Sequence, residues 1–341
     1  MKSKLYYYLE MGRRVNLVKA WPKIWNYVKY RKLKKKAVLS LGDYTPQIAS
    51  LWMTRRCNLK CSYCSAGNIL YKEKEKWIKS EATLKTVKKI FENRLFDNCL
   101  LVDLQGGEPL LVKNIKSIVA YLVKRGHIVN MSTNGVLLLR YIRSLKDAGI
   151  SRINVSIYEA NRSVLERNLG KINKIFPVHA SIVLMRRHIE KDPEEIIERV
   201  RFVFESGCRS VRFWMYRPVG TNPMKEEVIN DRMPAYTAFK KRLDKEFPGF
   251  CFWPALIQAK ITKKLCPQLW QRVGTDMEGN MAICCGIEKM LSGQDSNLFK
   301  SDPSDLANNP ILVNMRRQLL DTKKGPPNVC KTCTLLSESG W

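Results

Sequence analysis

Histidine is nearly missing from this sequence: three residues in 341, at His127, His179 and His188. None lies near the cysteine loop at 57–64, so a mixed cysteine–histidine zinc site has nothing there to close it. Acidic side chains are scarce too. Thirty-one Asp and Glu face 60 Lys and Arg, a formal net charge of +29. That deficit favours anionic partners: nucleic acid, a membrane surface, or a phosphorylated or acidic substrate; a basic surface kept for solubility is the plainer alternative. Long hydrophobic runs are also absent. No stretch reaches the roughly 18 apolar residues of a membrane span, and no short apolar core with a cleavage site marks a signal peptide. In the reducing setting this implies, 11 cysteines at short spacings read as metal ligands rather than disulfides. The expected location is the cytoplasm.

What is present begins with an uneven charge. Residues 1–36 carry 12 Lys and Arg against one acid, Glu10. Within them Leu17, Trp21, Ile24, Trp25 and Val28 recur at helical spacing, with Lys19, Lys23 and Lys29 between. This predicts a basic amphipathic helix. Its apolar stripe either lies on an anionic membrane or packs on the domain with the lysines in water.

Three cysteines, Cys57, Cys61 and Cys64, follow in a C-x3-C-x2-C loop with Tyr63 before the last. Iron–sulfur clusters normally take four cysteines. Three thiolates leave one iron of a [4Fe–4S] cube open to a substrate or cofactor.

From residue 47 the pattern alternates strand and helix. Apolar, β-branched runs at 48–53, 99–104, 127–131, 152–157, 178–184 and 209–215 are separated by helical patterns at 81–95, 112–125, 137–148, 161–175 and 193–206. Six βα repeats predict a parallel sheet wrapped by helices, with function at the carboxyl ends of the strands. The informative residues fall there: the Cys57 loop, Gly106-Gly107-Glu108, Ser132 and Asn134, Ser156, and Tyr216 and Arg217. A further helical stretch at 224–246 leads into a loop-rich tail with Cys266, Cys284, Cys285, Cys330 and Cys333.

The strand, the cysteine loop and the later Gly-Gly-Glu resemble the radical S-adenosylmethionine (SAM) superfamily over about residues 47–220. The resemblance implies an α/β partial (β/α)6 TIM-like barrel. It implies that Cys57, Cys61 and Cys64 hold a SAM-binding [4Fe–4S] cluster, and that Gly106, Gly107 and Glu108 receive the SAM ammonium. It places Tyr63 against adenine and Ser132, Asn134 and Ser156 at ribose or carboxylate. Relatives often carry an acid two positions after the Ser156 equivalent, where this chain has Tyr158. The tail spacing C-x12-G-x4-C … C-x2-C resembles the Twitch (SPASM-like) auxiliary domain. That implies a second [4Fe–4S] cluster on Cys266, Cys284, Cys330 and Cys333, with Cys285 competing for one place and a structural zinc site as the alternative.

The chain thus divides, in expectation, into a basic aromatic helical extension (1–46), the partial barrel (47–222), a helical linker (223–259) and the small Fe–S domain (260–341). The resemblance implies a cytoplasmic enzyme served by a one-electron reductant such as flavodoxin or ferredoxin. The expected reaction is dehydrogenation or epimerisation of a polyol, a sugar or a lipid-linked headgroup, which residues 1–36 would bring to the membrane. Tyr216 and Arg217 are candidate substrate contacts, and Cys251 a candidate hydrogen-atom donor. Peptide modification and RNA modification are the alternatives. The second has no strand-borne basic and aromatic platform for single strands, so nucleic acid is the weaker partner.

Overall fold

A computed structural model describes residues 17–32, 35–42, 45–61, 64, 81–217, 224–230, 232–254, 256, 266–284, 287–291, 293, 295–321, 323, 325–330 and 333. Tyr63 and Cys285 lie outside the described residues, as do all of residues 1–16 of the basic N-terminal stretch. In chain order the main elements are α1 (Leu17–Lys32), β1 (Ile48–Trp52), α2 (Leu84–Ile90), β2 (Leu101–Gln105), α3 (Ile115–Lys124), β3 (Ile128–Thr133) and α4 (Leu138–Asp147). They continue as β4 (Arg152–Ser156), α5 (Arg162–Ile175), β5 (His179–Leu184), α6 (Arg187–Glu190), α7 (Pro193–Glu205), β6 (Val211–Met215) and α8 (Pro234–Glu246). The last part contributes β7 (Cys251–Phe252), α9 (Gln268–Gln271), β8 (Arg272–Thr275), β9 (Ala282–Cys284), β10 (Ile287–Met290), α10 (Pro303–Ala307) and α11 (Pro310–Leu320).

The strands β1 to β8 form one parallel sheet in the order β7-β6-β5-β4-β3-β2-β1-β8, an open partial barrel. All six predicted strands form within a residue or two of their expected places. Two more join them. Cys251–Phe252 pairs with β6, and Arg272–Thr275 pairs with β1. Both are too short for period-two patterning to announce them, and Gly274 weakens the second further. The helix expected over 224–246 starts only at Pro234, because proline fixes φ and is tolerated in a first turn but not inside a helix. Local signals place two other starts: Thr83 accepts from Thr86 N at 3.0 Å, and Asp192 accepts from Glu195 N at 3.1 Å, as N-caps do.

The two faces of the sheet differ sharply. Side chains alternate along a strand, so residues paired across parallel strands share a face. The rows Ala49–Val102–Val129, Leu51–Leu104–Met131–Ile153 and Ile182–Phe213 are wholly apolar, and every member is 0 % exposed. These pack under the helices into one contiguous core. The opposite face carries the polar rows Ser50–Asp103–Asn130–Arg152, Ser132–Asn154–His179 and Ser156–Ser181–Arg212, beside the apolar row Ile48–Leu101–Ile128 and the pair Val183–Trp214. Parallel sheets are usually apolar on both faces. A polar inner face is stable only if its groups are hydrogen-bonded or solvated, which marks it as a place for something polar.

The helix α1 does not follow its predicted faces. Lys23 is buried with Ala20, Asn26 and Tyr30, whereas Val18, Trp21 and Trp25 are exposed. The reason is a set of carbonyls at the base of the sheet. Lys23 Nζ donates to Asp97 O at 2.7 Å, and Asn26 Nδ2 donates to Thr45 O at 3.0 Å and Asn98 O at 3.1 Å. Specific hydrogen bonds, not apolar area, decide which face turns inward.

Candidate active site at the carboxyl rim of the sheet

The cysteine loop leaves the end of β1, and its root is zipped to the Gly-Gly-Glu segment after β2. Met53 N donates to Gln105 O at 2.7 Å, Gly107 N to Thr54 O at 2.7 Å, and Glu108 N to Arg56 O at 2.8 Å. The zip needs glycine. A Cβ on Gly106 would sit 2.5 Å from Thr54 O, and one on Gly107 2.1 Å from Arg56 O; Gly106 also has φ +133°, which only glycine adopts freely. Arg56 pairs with Glu81, whose Oε1 accepts from Lys113 N at 3.2 Å.

Glu108 is fully buried. Its Oε1 accepts from Thr133 Oγ1 at 2.7 Å and Leu110 N at 3.0 Å, and its Oε2 from Asn134 N at 2.8 Å. Burial pushes its carboxyl above the usual range, while those three donors pull it back. Asn134 carries the connection onward: its Nδ2 donates to Asn58 Oδ1 at 2.7 Å and approaches Cys57 Sγ at 3.8 Å. Asn161, also fully buried, donates to Asn134 O at 2.7 Å and Ser156 O at 2.8 Å, and accepts from Tyr158 N at 2.8 Å. It locks the ends of β3 and β4 together. Sequence reasoning missed Asn161; its position five residues after the end of β4 and directly before a helix is the available signal.

The three loop cysteines gather on this frame. Cys57 is exposed, and Cys61 and Cys64 are half-buried. Leu59 N donates to Cys57 Sγ at 3.4 Å, and Cys64 N closes a turn onto Cys61 O at 3.1 Å. The Cys61 thiol is pushed up to about 11, by burial first and then by Cys64 and Cys57. Thiolates that close repel one another until a cation joins them. Tyr158 is raised by its burial, and all three thiols add to the effect, so the departure noted in the sequence sits beside the cysteine loop. Among the described residues no three His, Cys, Asp or Glu side chains converge on a point that a single metal ion could fill. A cubic cluster asks for something else: each thiolate takes a different iron, so the sulfurs surround a volume rather than meet at a point. This donor set fits such a cluster.

Other expected residues fall on the same rim or its inner wall. Ser132 is exposed on the inner face, and Ser156 Oγ lies 3.2 Å from Ser181 Oγ. Tyr216 is buried and its hydroxyl accepts from Met224 N at 3.1 Å; Arg217 beside it is half-buried. The structure does not bring Cys251 to this rim. It pairs with Val211 at the start of β6, in a row that ends on the helix-side face, and burial pushes its thiol up to about 12. Arg212 and Trp214 escaped the sequence reading, although alternation in 211–215 sets both against Val211 and Phe213. Trp214 is 48 % exposed with the Arg212 guanidinium 5.7 Å from its ring centre.

The tail cysteines sit differently. Cys266 and Cys330 are buried in the main core, and Cys284 packs against it at the end of β9. Cys333 N donates to Cys330 O at 3.1 Å. The turn leading to Cys284 is tied to the first loop: Asp276 Oδ2 accepts from Arg55 Nη2 at 3.1 Å, and its Oδ1 accepts from Asn280 N at 2.9 Å. Gly279 in that turn has φ +83°, and a Cβ there would lie 2.8 Å from the Phe299 ring.

Comparison with known proteins agrees with this geometry. Residues 53–180 match the model of the radical SAM superfamily. The chain is 29 % identical over 274 residues to a GTP 3′,8-cyclase of Aquifex aeolicus, covering 71 % of this chain and 83 % of that one. It is 31 % identical over 188 residues to the molybdenum cofactor biosynthesis protein moc-5 of Caenorhabditis elegans, covering 51 % of this chain but 30 % of that one. The fold resembles SuiB of Streptococcus suis, solved with S-adenosylmethionine bound, at TM-score 0.63 and 15 % identity over 89 % of this chain and 75 % of that one.

Proposed function

Because this chain belongs to the radical SAM superfamily, we propose that it uses its rim to direct a SAM-derived radical at a small, phosphate-bearing substrate held on the inner face of the sheet. Enzymes of the superfamily work with a [4Fe–4S] cluster and S-adenosylmethionine, and the chemistry supplied is one-electron cleavage of the sulfonium to a 5′-deoxyadenosyl radical that abstracts a substrate hydrogen. In this reading Cys57, Cys61 and Cys64 hold the cluster. The Gly106–Glu108 segment, Asn134 and Ser156 fix the loop and face SAM; Ser132 lies on the wall below, and Tyr63 lines the adenine. Cys266, Cys284, Cys330 and Cys333 hold a second [4Fe–4S] cluster that relays an electron, in the Twitch manner, from or to the substrate. Flavodoxin or ferredoxin is the reductant class.

The observation that carries the substrate class is the polar inner face. It presents Arg152, Arg212 and Arg272 against one acid, Asp103. Arg272 Nη1 donates to Asp103 Oδ2 at 2.7 Å, and three guanidinium groups to one carboxylate make this face basic. Guanidinium forks suit phosphate, and exposed Trp214 offers a flat apolar plane. The relatives' name, GTP 3′,8-cyclase, points the same way, toward a small nucleotide. Dehydrogenation or epimerisation of an uncharged polyol or sugar draws no support from it.

The test is anaerobic turnover of the reconstituted enzyme with reduced flavodoxin. GTP and other phosphorylated small molecules should stimulate 5′-deoxyadenosine formation, and Arg212→Ala should raise the KM by about tenfold, the worth of one charged hydrogen bond, with uncoupled SAM cleavage retained. Stimulation by an uncharged polyol alone, or an unchanged KM in Arg212→Ala, would sink the proposal.

A further inference from the structure

The helix α1 is amphipathic the wrong way round for a helix that merely packs. Its inward stripe, Ala20, Lys23, Asn26 and Tyr30, is small or polar and is held by hydrogen bonds to backbone carbonyls. Besides those of Lys23 and Asn26, Lys19 Nζ donates to Lys124 O at 3.1 Å, and Thr45 N returns a bond to Asn26 Oδ1 at 3.1 Å. The approach is close: a Cβ on Gly126 would meet Lys19 Cβ at 2.7 Å. The outward stripe carries Val18, Trp21 and Trp25, which are 85 %, 66 % and 52 % exposed. They make up half of the six large hydrophobic side chains that are exposed among the described residues, gathered on two turns of one helix. Such a cluster marks an interaction surface.

The charge around the stripe identifies its partner. Lys29, Arg31 and Lys32 continue the exposed side of the helix, and Lys36 is exposed just beyond. No acidic residue occurs between Leu17 and Gly42. A protein groove would accept tryptophan and valine, but it would not ask for an acid-free basic collar. An anionic bilayer asks for both. Indole rings settle at the headgroup level, and each nearby Lys or Arg adds about 1 kcal/mol on such a surface.

The placement fits as well. Thr45, Asn98 and Lys124 precede β1, β2 and β3, so α1 lies across the base of the sheet. A chain docked by this face would keep the cysteine rim turned away from the surface and open to soluble substrate and reductant.

We propose that the Val18–Trp21–Trp25 face of α1 docks this enzyme on anionic lipid headgroups, through tryptophan insertion supported by Lys29, Arg31 and Lys32. The experiment is flotation of the full chain with vesicles of phosphatidylcholine alone or with about one third phosphatidylglycerol. The wild type should float with the anionic vesicles, with a blue-shifted tryptophan emission that high salt reverses, and not with the neutral ones. Trp21→Ala/Trp25→Ala should lower the bound fraction about tenfold, and Lys29→Glu/Lys32→Glu should remove the salt-sensitive part. Both variants should keep the wild-type rate of SAM cleavage in solution, which shows that they fold. Equal flotation of wild type and the tryptophan variant would overturn the proposal. So would failure to bind either vesicle; a dimer that the tryptophan variant abolishes would then assign the face to a second copy of the chain.

Discussion

The two ends of the sheet use the same side chains to opposite purposes. At the rim, Cys57 and Cys64 are close enough to Cys61 to make its thiol harder to ionise, and Asn134 and the Leu59 amide already point donors at the Cys57 sulfur. At the base, Cys99 is pushed up to about 12 and Cys208 to about 11 by burial alone among the causes that raise them most. The first strain is relieved by a cation shared among thiolates. The second is relieved by remaining a thiol. Exposure and company, not residue type, separate a ligand from a core side chain.

The largest break in that comparison is Cys57→Ala. It should abolish SAM cleavage and lower reconstituted iron from about eight to about four per chain, the remainder on the tail cysteines; retained cleavage would remove the rim from the reaction. Next is Gly107→Ala. Its Cβ would press on Arg56 O and unzip the root of the cysteine loop, costing about 1–3 kcal/mol and reducing cluster occupancy, both measurable by thermal melting and iron analysis. Gly249→Ala, where no atom lies within 4 Å but φ is +72°, serves as the control for backbone strain without a clash.

The base has its own signature. His127 Nδ1 donates to Cys99 O at 2.7 Å, and burial holds its pKa near 3 from an ordinary 6.5, with Lys23 adding to the effect. The folded chain therefore resists a proton that the unfolded chain binds. The stability held above pH 6.5 is lost as pH falls toward the folded value, about 1.4 kcal/mol of it by about pH 5.5. His127→Gln should show a smaller drop in melting temperature over that interval, and an equal drop would refute the assignment. The smallest effect is Cys251→Ser, with SAM cleavage and product each within about twofold of wild type. Product lost while cleavage persists would make Cys251 a hydrogen-atom donor despite its place in the outer row.

Legibility in the sequence followed the range of the interactions. Strands β1 to β6 were visible because each is a short apolar, β-branched run of its own. The cysteine loop and Gly-Gly-Glu were visible as local spacings. Asn161 was not, because its importance lies in bonds to Asn134 and Ser156, which only the fold brings near. The α1 faces were misassigned for a related reason: hydropathy sees Lys23 as a surface residue, and only the carbonyl of Asp97 makes its burial favourable. The ion pair of Arg55 with Asp276 spans 221 positions, and no window of sequence could contain it.

The pairing of β8 with β1 reaches into the life of the chain before it is finished. Ile48 meets Arg272 across the sheet, so the strand that launches the cysteine loop is a bare edge until the tail has been made. At typical synthesis rates that interval lasts roughly 10–45 s, during which unpaired backbone groups beside three reactive thiols face the cell. A protein built this way has reason to depend on chaperoned maturation, and its yield should respond to helper proteins more than its final stability suggests.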